Sequence, residues 1–268
     1  MKKILILAMI GVVAWTPAKA DSNWELVWAD EFNHPGMPDP SKWTYEHGFI
    51  RNHEKQYYTK GRAENARVEE GMLVIEGRRE DFRAKSGDTA RYTSASLIAK
   101  NPMDWLYGRI EMRAKLPQGR GVWPALWMVG SDLPRVGWPE CGEIDIMEFV
   151  GKEPGNIYST LHYQAAGLHR MNQKRLSSLA PSDDFHVYAM EWLPERIEFF
   201  FDGNRYQSIQ TDVAGTGADN PFRKPQRLII NLALGGSWGG EIDDSALPQK
   251  YLIDYVRIYR RPEMGARN

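Results

Sequence analysis

Short runs of alternating apolar and polar residues, separated by turn residues, recur along most of the chain. Between residues 107 and 116, apolar side chains take every second position and charged side chains take the positions between them. This period of two is typical of a strand with one buried face. Further strand-like runs cover residues 24–32, 196–206, 226–234 and 251–259. No segment keeps a helical period over three turns, so the pattern predicts an all-β protein.

Turn pairs such as Asp-Gly, Asn-Pro and Gln-Gly punctuate the chain roughly every ten residues. Many short strands with Gly and Pro between them indicate two antiparallel sheets packed as a sandwich. The segment 196–206 predicts a hairpin around its Asp202-Gly203 turn. We expect the first and last runs to lie next to each other and to close one domain.

Residues 1–20 have the composition of a secretory signal peptide. Lys2 and Lys3 precede a short apolar run, and Ala18-Lys19-Ala20 is a small-x-small cleavage site. We therefore expect a secreted or periplasmic protein in which residues 21–268 form a single domain. No later run approaches the roughly eighteen apolar residues of a membrane span.

The charge balance argues against two classes of partner. The chain has 34 basic and 35 acidic side chains, and loss of the leader removes three lysines and no acid, for a net charge of about −4. Nucleic acid and anionic lipid both require a basic face, so we expect neither. A neutral polymer suits a chain in which 12% of the residues are aromatic.

Cys141 is the only cysteine, so the chain forms no internal disulfide. Its place beside an acidic segment is compatible with a reactive thiol, but a small buried hydrophobe is the simpler interpretation. Neither a CxxC nor an HExxH spacing occurs, which argues against a zinc site.

Three acids, Glu143, Asp145 and Glu148, lie within six residues of otherwise apolar sequence. In a regular strand, residues 143, 145 and 147 share a face, so Glu148 would point away from the other two acids. A β-bulge, one extra residue near Ile146 or Met147, returns Glu148 to their face. The sequence therefore predicts a bulge at this point.

Three acids on one face repel each other and raise at least one pKa. Glycoside hydrolysis uses such a division, because it needs an ionised carboxylate as nucleophile and a protonated carboxyl as acid. A solvated acidic strand and a calcium site are alternatives that the spacing leaves open. The apolar neighbours argue against the solvated strand.

The segment WPECGEIDIME at residues 138–148 resembles the signature of glycoside hydrolase family 16. The likeness continues in order through nearly all of the chain after the leader. It includes WADEFN at 28–33, YGRIEMRAK at 107–115, GVWPALWM at 121–128, EW at 191–192, FDG at 201–203 and IDYVRIY at 253–259. The resemblance implies an all-β jelly-roll sandwich of two antiparallel sheets with a concave substrate cleft.

The resemblance also implies a retaining mechanism, with Glu143 as nucleophile and Glu148 as acid/base. Asp145 would help to hold the protonation state of the nucleophile. Met147 is an extra residue that laminarinase-like members have and lichenase-type members lack. It implies an endo-acting enzyme that cuts internal β-1,3-glucosidic bonds. The alternatives are a mixed-linkage or galactose-containing glycan as substrate, or a glucan-binding lectin, although such lectins typically lack the catalytic glutamates.

Trp123, Trp127 and His162 match positions that line the cleft in the family. The two tryptophans are four residues apart and share a strand face. Without the resemblance, two core tryptophans and a structural histidine would be the simpler interpretations. With it, we expect His162 to hydrogen-bond the acid/base or the sugar.

Asn52 and Trp238 complete the expected substrate-binding set. Asn52 lies in a loop that resembles one on the non-reducing side of the substrate, with Glu54 and Gln56 as candidates to brace it. Trp238 lies in a glycine-rich run and resembles a rim tryptophan. Ser96 departs from the family, because many laminarinase-like members have arginine there. The loop from Trp238 is also shorter than in many relatives, and both departures concern the identity of the glycan.

Family members often carry a structural calcium ion, and the matching positions are Glu31, Gly71 and Asp254. Carboxylate and carbonyl oxygens suit calcium chemically. We expect no cofactor for catalysis. The expected partner is a polysaccharide substrate, and the expected state is a monomer.

Overall fold

The computed structural model describes residues 23–101, 104–177 and 180–262. The expected signal peptide, residues 1–20, lies outside the described residues. The first strands are β1 (Glu25–Asp30), β2 (Trp43–Tyr45), β3 (Gln56–Tyr58), β4 (Ala66–Glu69), β5 (Met72–Arg83), β6 (Thr89–Ser94), β7 (Ser96–Ala99), β8 (Gly108–Lys115) and β9 (Val122–Gly130). The remaining strands are β10 (Glu143–Glu148), β11 (Ile157–Ala165), β12 (Leu168–Leu176), β13 (His186–Trp192), β14 (Arg196–Phe201), β15 (Asn204–Gln210), β16 (Gln226–Leu234) and β17 (Gln249–Arg260).

Helical structure in the described ranges is confined to single turns. The α-helices α1 (Leu133–Val136) and α2 (Gly236–Gly239) have four residues each, and the 3-10 helices are Thr211–Ala214, Pro221–Arg223 and Asp244–Ala246. No helix in this part of the chain is long and apolar enough to cross a membrane.

The strands form two sheets, as the alternating pattern predicts. The seven-stranded sheet has the order β12-β11-β10-β9-β16-β7-β2. The ten-stranded sheet has the order β15-β14-β13-β8-β17-β5-β6-β3, with β1 beside β17 and β4 beside β5. Every pairing is antiparallel except that of β3 with β6. This arrangement confirms the prediction of an all-β sandwich.

Two local predictions from the sequence are confirmed by the strand pairing. The first and last strands pair, with Asp30 opposite Val256. The hairpin of β14 and β15 turns at Asp202 and Gly203, which both have positive φ, 47° and 78°. Positive φ at both central residues is the geometry of a tight type I′ turn, and it favours an Asp-Gly pair.

The main core lies between the two sheets. β8 alternates buried and half-buried residues along its whole length, because one of its faces meets the core. β9 is buried at all nine positions. Leu126 and Met128 of β9 join the main core, whereas Trp123 and Trp127 belong to clusters on the opposite face. The outer face of the seven-stranded sheet is therefore also covered, and it carries the site described below.

The predicted bulge is present in β10. Asp145 lies opposite Trp127 of β9, but the next paired residue is Met147, opposite Leu126, so one residue of β10 is unmatched. As a result, Ile146 and Met147 both join the core although they are adjacent in sequence. Glu148 returns to the face of Asp145.

Deletion of Met147 tests whether the alternation of side chains between the two strand faces determines where the acids point. In a regular strand the shortened sequence still puts all three acids on one face, so we expect Glu148 to stay outside the core. Loss of the buried Met side chain should cost about 2–5 kcal/mol of unfolding free energy. A crystal structure and thermal unfolding measure these outcomes. Met147→Ala, which keeps the bulge, is the control, and a Glu148 side chain turned into the core would contradict the account.

Candidate active site

One cavity, with a volume of about 660 Å³, lies over the outer face of the seven-stranded sheet. It is lined by every catalytic and substrate-binding candidate from the sequence. These residues are Asn52, Trp123, Trp127, Glu143, Asp145, Glu148, His162 and Trp238. The strands that supply most of them, β9, β10 and β11, are neighbours in the sheet. The fold therefore brings together residues that are up to 186 positions apart in the sequence.

The three acids of β10 have different hydrogen-bond partners. The indole N–H of Trp138 donates to Oε2 of Glu143 at 3.1 Å. The indole N–H of Trp123 donates to Oε1 of Glu148 at 3.0 Å. Oδ2 of Asp145 is buried and accepts no hydrogen bond. Asp145, the middle acid, therefore has the fewest hydrogen bonds to its carboxylate among the three acids.

Burial and mutual repulsion raise the pKa of each acid. Burial, and then the charge of Asp145, raise the pKa of Glu143 to about 8. Burial also raises the pKa of Glu148 well above its usual range, with Asp145 and Glu143 adding to the effect. Burial alone raises the pKa of Asp145 well above its usual range. At neutral pH the cluster therefore retains protons that isolated carboxyls would lose.

His162 faces the middle of the cluster. Its Nε2 lies 3.3 Å from Oδ2 of Asp145 and 3.9 Å from Oε1 of Glu143. The sequence led us to expect a hydrogen bond to the acid/base or the sugar, but the nearest carboxylates belong to the other two acids. The register explains this, because His162 lies directly opposite Glu143 in the pairing of β10 with β11. The possible metal-ligand atoms of Glu143, Asp145 and His162 lie within 4.8 Å of one another, so this set could also hold a cation.

Trp123 and Trp127 both lie on the cavity face of β9. Each is only 8% exposed, which reflects packing against the wall of the cavity. The indole N–H of Trp127 donates to Oδ1 of Asn231 on β16 at 2.7 Å. Asn231 in turn donates to the hydroxyl of Tyr58 at 2.9 Å. These bonds hold the Trp127 ring in one orientation.

The loop that contains Asn52 is braced as expected. Glu54 is buried and accepts from Gln56 at 2.6 Å and from the Tyr58 hydroxyl at 3.1 Å. Gln56 also accepts from the backbone N–H of Leu234 at 2.7 Å. Asn52 itself is exposed at the cavity, with a φ of 56°. The structure therefore places Asn52 at the surface and Glu54 and Gln56 beneath it.

Arg51 is a cavity residue that sequence reasoning missed. Its guanidinium lies 4.9 Å from the ring centroid of Trp127. Its Nη2 donates to Glu46, which also accepts from the hydroxyl of Ser96 at 2.6 Å. Ser96 is the position at which many relatives have arginine, so here a cation reaches the cavity from the loop instead. The only signal in the sequence was its position next to Asn52.

Trp138 is a second residue that received no role from the sequence. It precedes the acidic segment and is 48% exposed. Its ring centroid lies 4.6 Å from that of His169 on β12. Its place in the signature was the available signal, but its hydrogen bond to Glu143 depends on the fold of the loop before β10.

Trp238 packs more firmly than a residue on a free glycine run. It lies in α2, and its ring meets Trp123 and Tyr158 edge-on at centroid distances of 5.4 and 4.9 Å. Gly235 and Gly236, with φ of 71° and 78°, shape the turn that presents it. Trp238 is therefore a half-buried rim residue held by other aromatic rings.

Cys141 is fully buried, and burial followed by the charge of Glu143 raises the pKa of its thiol to about 11. The thiol is thus neutral at physiological pH, which agrees with the structural interpretation.

The strand register brings the expected calcium positions into the same region, beside β17. Asp30 pairs with Val256 and Leu73 pairs with Ile253, which brings the following Glu31 and the preceding Gly71 towards Asp254. Both carboxylate oxygens of Glu31 accept from Arg257, at 2.7 and 2.8 Å. Oδ2 of Asp254 accepts from Arg113 at 2.7 Å. The donors left for a cation are backbone carbonyls and the second oxygen of Asp254, which are chemically suited to calcium.

Comparisons with known proteins agree with this geometry. Residues 53–257 match the model of glycosyl hydrolases family 16. A β-glucanase from Rhodothermus marinus is 43% identical over 96% of this chain and 93% of its own length. The structure of SCLam, a non-specific endo-β-1,3(4)-glucanase, is 42% identical, with a TM-score of 0.83 over 92% of this chain and 94% of that one. The laminarinase from Rhodothermus marinus is 43% identical, with a TM-score of 0.80 over 89% of this chain and 98% of that one.

The family match covers more than half of the chain, and the similarity to these relatives extends over nearly their full length. The sandwich and the acidic cluster on a bulged strand agree with it. The chain therefore belongs to glycosyl hydrolase family 16 and is a glycoside hydrolase.

Proposed function

We propose that this enzyme cleaves internal β-1,3-glucosidic bonds of laminarin-type glucans with retention of configuration. The observation that carries the proposal is the bulged strand β10, which places Glu143, Asp145 and Glu148 on one wall of an aromatic-lined cavity. Met147, the residue that creates the bulge, is the feature that the sequence associates with laminarinase-like members.

The partners of the two glutamates support different roles. His162, Arg51 and the indole of Trp138 each act to lower the pKa of Glu143. The pKa of Glu148 is lowered only by Trp123 and, more weakly, His162, against two neighbouring acids. Glu143 is therefore the glutamate that ionises more readily, and Glu148 is the one that keeps its proton. These are the states that a nucleophile and a general acid require.

In the first step, Glu143 attacks the anomeric carbon and Glu148 gives its proton to the departing glycosidic oxygen. The leaving chain departs with that proton, and a covalent glycosyl-enzyme remains. In the second step, Glu148 takes a proton from water, which attacks the anomeric carbon and frees Glu143. Neutralisation of Glu143 in the intermediate lowers the pKa of Glu148, which suits its change from acid to base.

The cavity suits a neutral glycan. Trp123, Trp127 and Trp238 offer apolar ring surface, and Asn52 offers an exposed amide at one end. Mixed-linkage β-1,3-1,4-glucan is the second candidate, because the similar SCLam is described as non-specific for β-1,3(4)-glucan. The arginine next to Asn52 gives neither glycan an advantage by charge.

The leader sequence supports a further proposal, that the enzyme acts outside the cytoplasm, secreted or periplasmic. A polymer too large to be taken up would require this location. We also propose that it works as a monomer.

Digestion of laminarin, lichenan and a β-galactan, with product sizing, tests the substrate and the mode of action. We expect fastest release of short oligosaccharides from laminarin, and NMR of the earliest products should show the β-anomer. Glu143→Ser should lower the rate roughly 10³-fold or more while oligosaccharide binding persists. Initial α-product, or turnover by the serine variant at close to the parent rate, would contradict the mechanism, and preference for the galactan would contradict the substrate.

Asp145→Asn tests the repulsion within the cluster. The charge of Asp145 raises the pKa of both Glu143 and Glu148. Its removal should move both limbs of the pH profile of kcat/KM to lower pH, by roughly one pH unit. Glu140→Gln, which neutralises an exposed acid in the preceding loop, is the matched control and should move neither limb. A shift of either limb to higher pH in the asparagine variant would refute this account.

We also propose a structural calcium ion held by the backbone carbonyls of Glu31 and Gly71 and by Asp254. It would tie the end of β1 and the turn before β5 to β17. Thermal unfolding should then show Tm higher by about 5–10 °C when calcium exceeds its Kd 100-fold than in a chelator. Asp254→Asn should reduce this difference. Equal Tm values for the parent protein in calcium and in chelator would exclude the ion.

A further inference from the structure

His169 forms a contact with His162 that the mechanism above does not use. The two residues face each other across the hairpin of β11 and β12. Nδ1 of His162 lies 2.9 Å from Nε2 of His169. The ring planes differ by only 24°, with centroids 5.2 Å apart, as an in-plane hydrogen bond between the two rings requires. The other nitrogen of His162, Nε2, is the one that faces Asp145.

We propose that His169 is a positioning residue that keeps a proton on Nε2 of His162, the nitrogen nearer Asp145 and Glu143, whether His162 is neutral or charged. The proposal rests on the proposed function for its effect on hydrolysis, but not for its effect on the His162 ring.

The reasoning begins with the number of protons on each ring. A neutral imidazole carries one N–H, and an imidazolium carries two. If His162 is charged, its Nδ1–H donates to the lone pair on Nε2 of His169, and its Nε2–H faces the acids. If His162 is neutral, Nε2–H of His169 donates to the lone pair on Nδ1, and the single proton of His162 is again on Nε2. A histidine partner can serve in both states because it can change from acceptor to donor.

The surroundings of His169 favour this role. Its side chain is exposed, but slight desolvation, and then the nearby His162, lower its pKa, so at neutral pH the ring is neutral and available as an acceptor. Trp138 covers one side of the ring at 4.6 Å. The residues opposite the pair in the hairpin register, Gln164 and Met171, are uncharged. Among the described residues, no hydrogen bond or ion pair joins another titratable side chain of the hairpin to the pair.

The charged groups near His162 lie on its other side. Glu143 and Asp145 approach from β10. Arg51 acts on Glu143 from the loop before β3. The charge of His162 lowers the pKa of Glu143. In the neutral Nδ1–H tautomer, a lone pair on Nε2 would face the acids in place of an N–H, and this would also make Glu143 harder to ionise.

His169→Phe tests the proposal, because phenylalanine keeps a ring against Trp138 but has no nitrogen. We expect the acidic limb of kcat/KM, which reports ionisation of Glu143, to move up by about 0.5–1 pH unit. On that limb the rate should fall roughly threefold to tenfold, while KM stays unchanged. His169→Gln, whose amide can donate or accept, should restore most of the loss. Arg170→Gln, next to it on the strand, is the control and should leave the limb in place.

Imidazole ¹⁵N NMR measures the position of the proton directly. In the parent protein, neutral His162 should be the Nε2–H tautomer, and in His169→Phe the Nδ1–H form should become populated. An unchanged tautomer together with an unmoved limb would overturn the proposal. Equal losses in the Phe and Gln variants with a lowered Tm would also overturn it, because they would assign His169 a structural role alone. If none of the glycans is cleaved, the proposed function fails, and the NMR result still decides this inference.

Discussion

Repulsion among three buried carboxyls on one strand is the constraint around which this site is arranged. The alternation of β10 and its bulge bring Glu143, Asp145 and Glu148 to one face, and burial makes each of their charges costly. The neighbours do not cancel this cost. They act unequally on the two glutamates. An indole, a histidine and an arginine lower the pKa of Glu143, whereas the other indole and the same histidine lower the pKa of Glu148. The inequality creates one acid that ionises and one that stays protonated, which chemistry at a glycosidic bond requires.

The scaffold makes such an arrangement tolerable. β9 is buried on both faces, so the tryptophans opposite the acids are held by the same strand that crosses the core. Trp127 is fixed through Asn231 to Tyr58, and Tyr58 is fixed to Glu54 beneath the Asn52 loop. Rings with fixed orientation exclude water without moving. Apolar surface around the acids lowers the local dielectric constant, and this strengthens the charge interactions that separate the two glutamates.

Much of this could be read from the sequence, because alternation is a local property. The strand faces of 107–116, the hairpin at Asp202-Gly203 and the bulge near Met147 all follow from the order of residues. The partners of those residues do not. The contact of His162 with Asp145, the bond from Trp138 to Glu143 and the brace from Asn231 to Trp127 join separate strands or loops. Their registers are set by packing of the whole sandwich, which no local pattern encodes.

In this enzyme the catalytic residues and the residues that can adjust substrate specificity lie on different kinds of structure. The acids lie on a strand in the middle of a sheet. Outside the bulge, insertion or deletion of one residue there would turn every later side chain to the opposite face. Arg51 lies in a loop and Trp238 in the single turn α2, where a change of sequence or length moves one side chain and leaves the sheet intact. Here Ser96 supports Glu46, and Glu46 holds Arg51 over Trp127, so a cation enters the cavity without an arginine on β7. The reaction is therefore tied to strand geometry, whereas the glycan that the cleft accepts is adjustable through the loops.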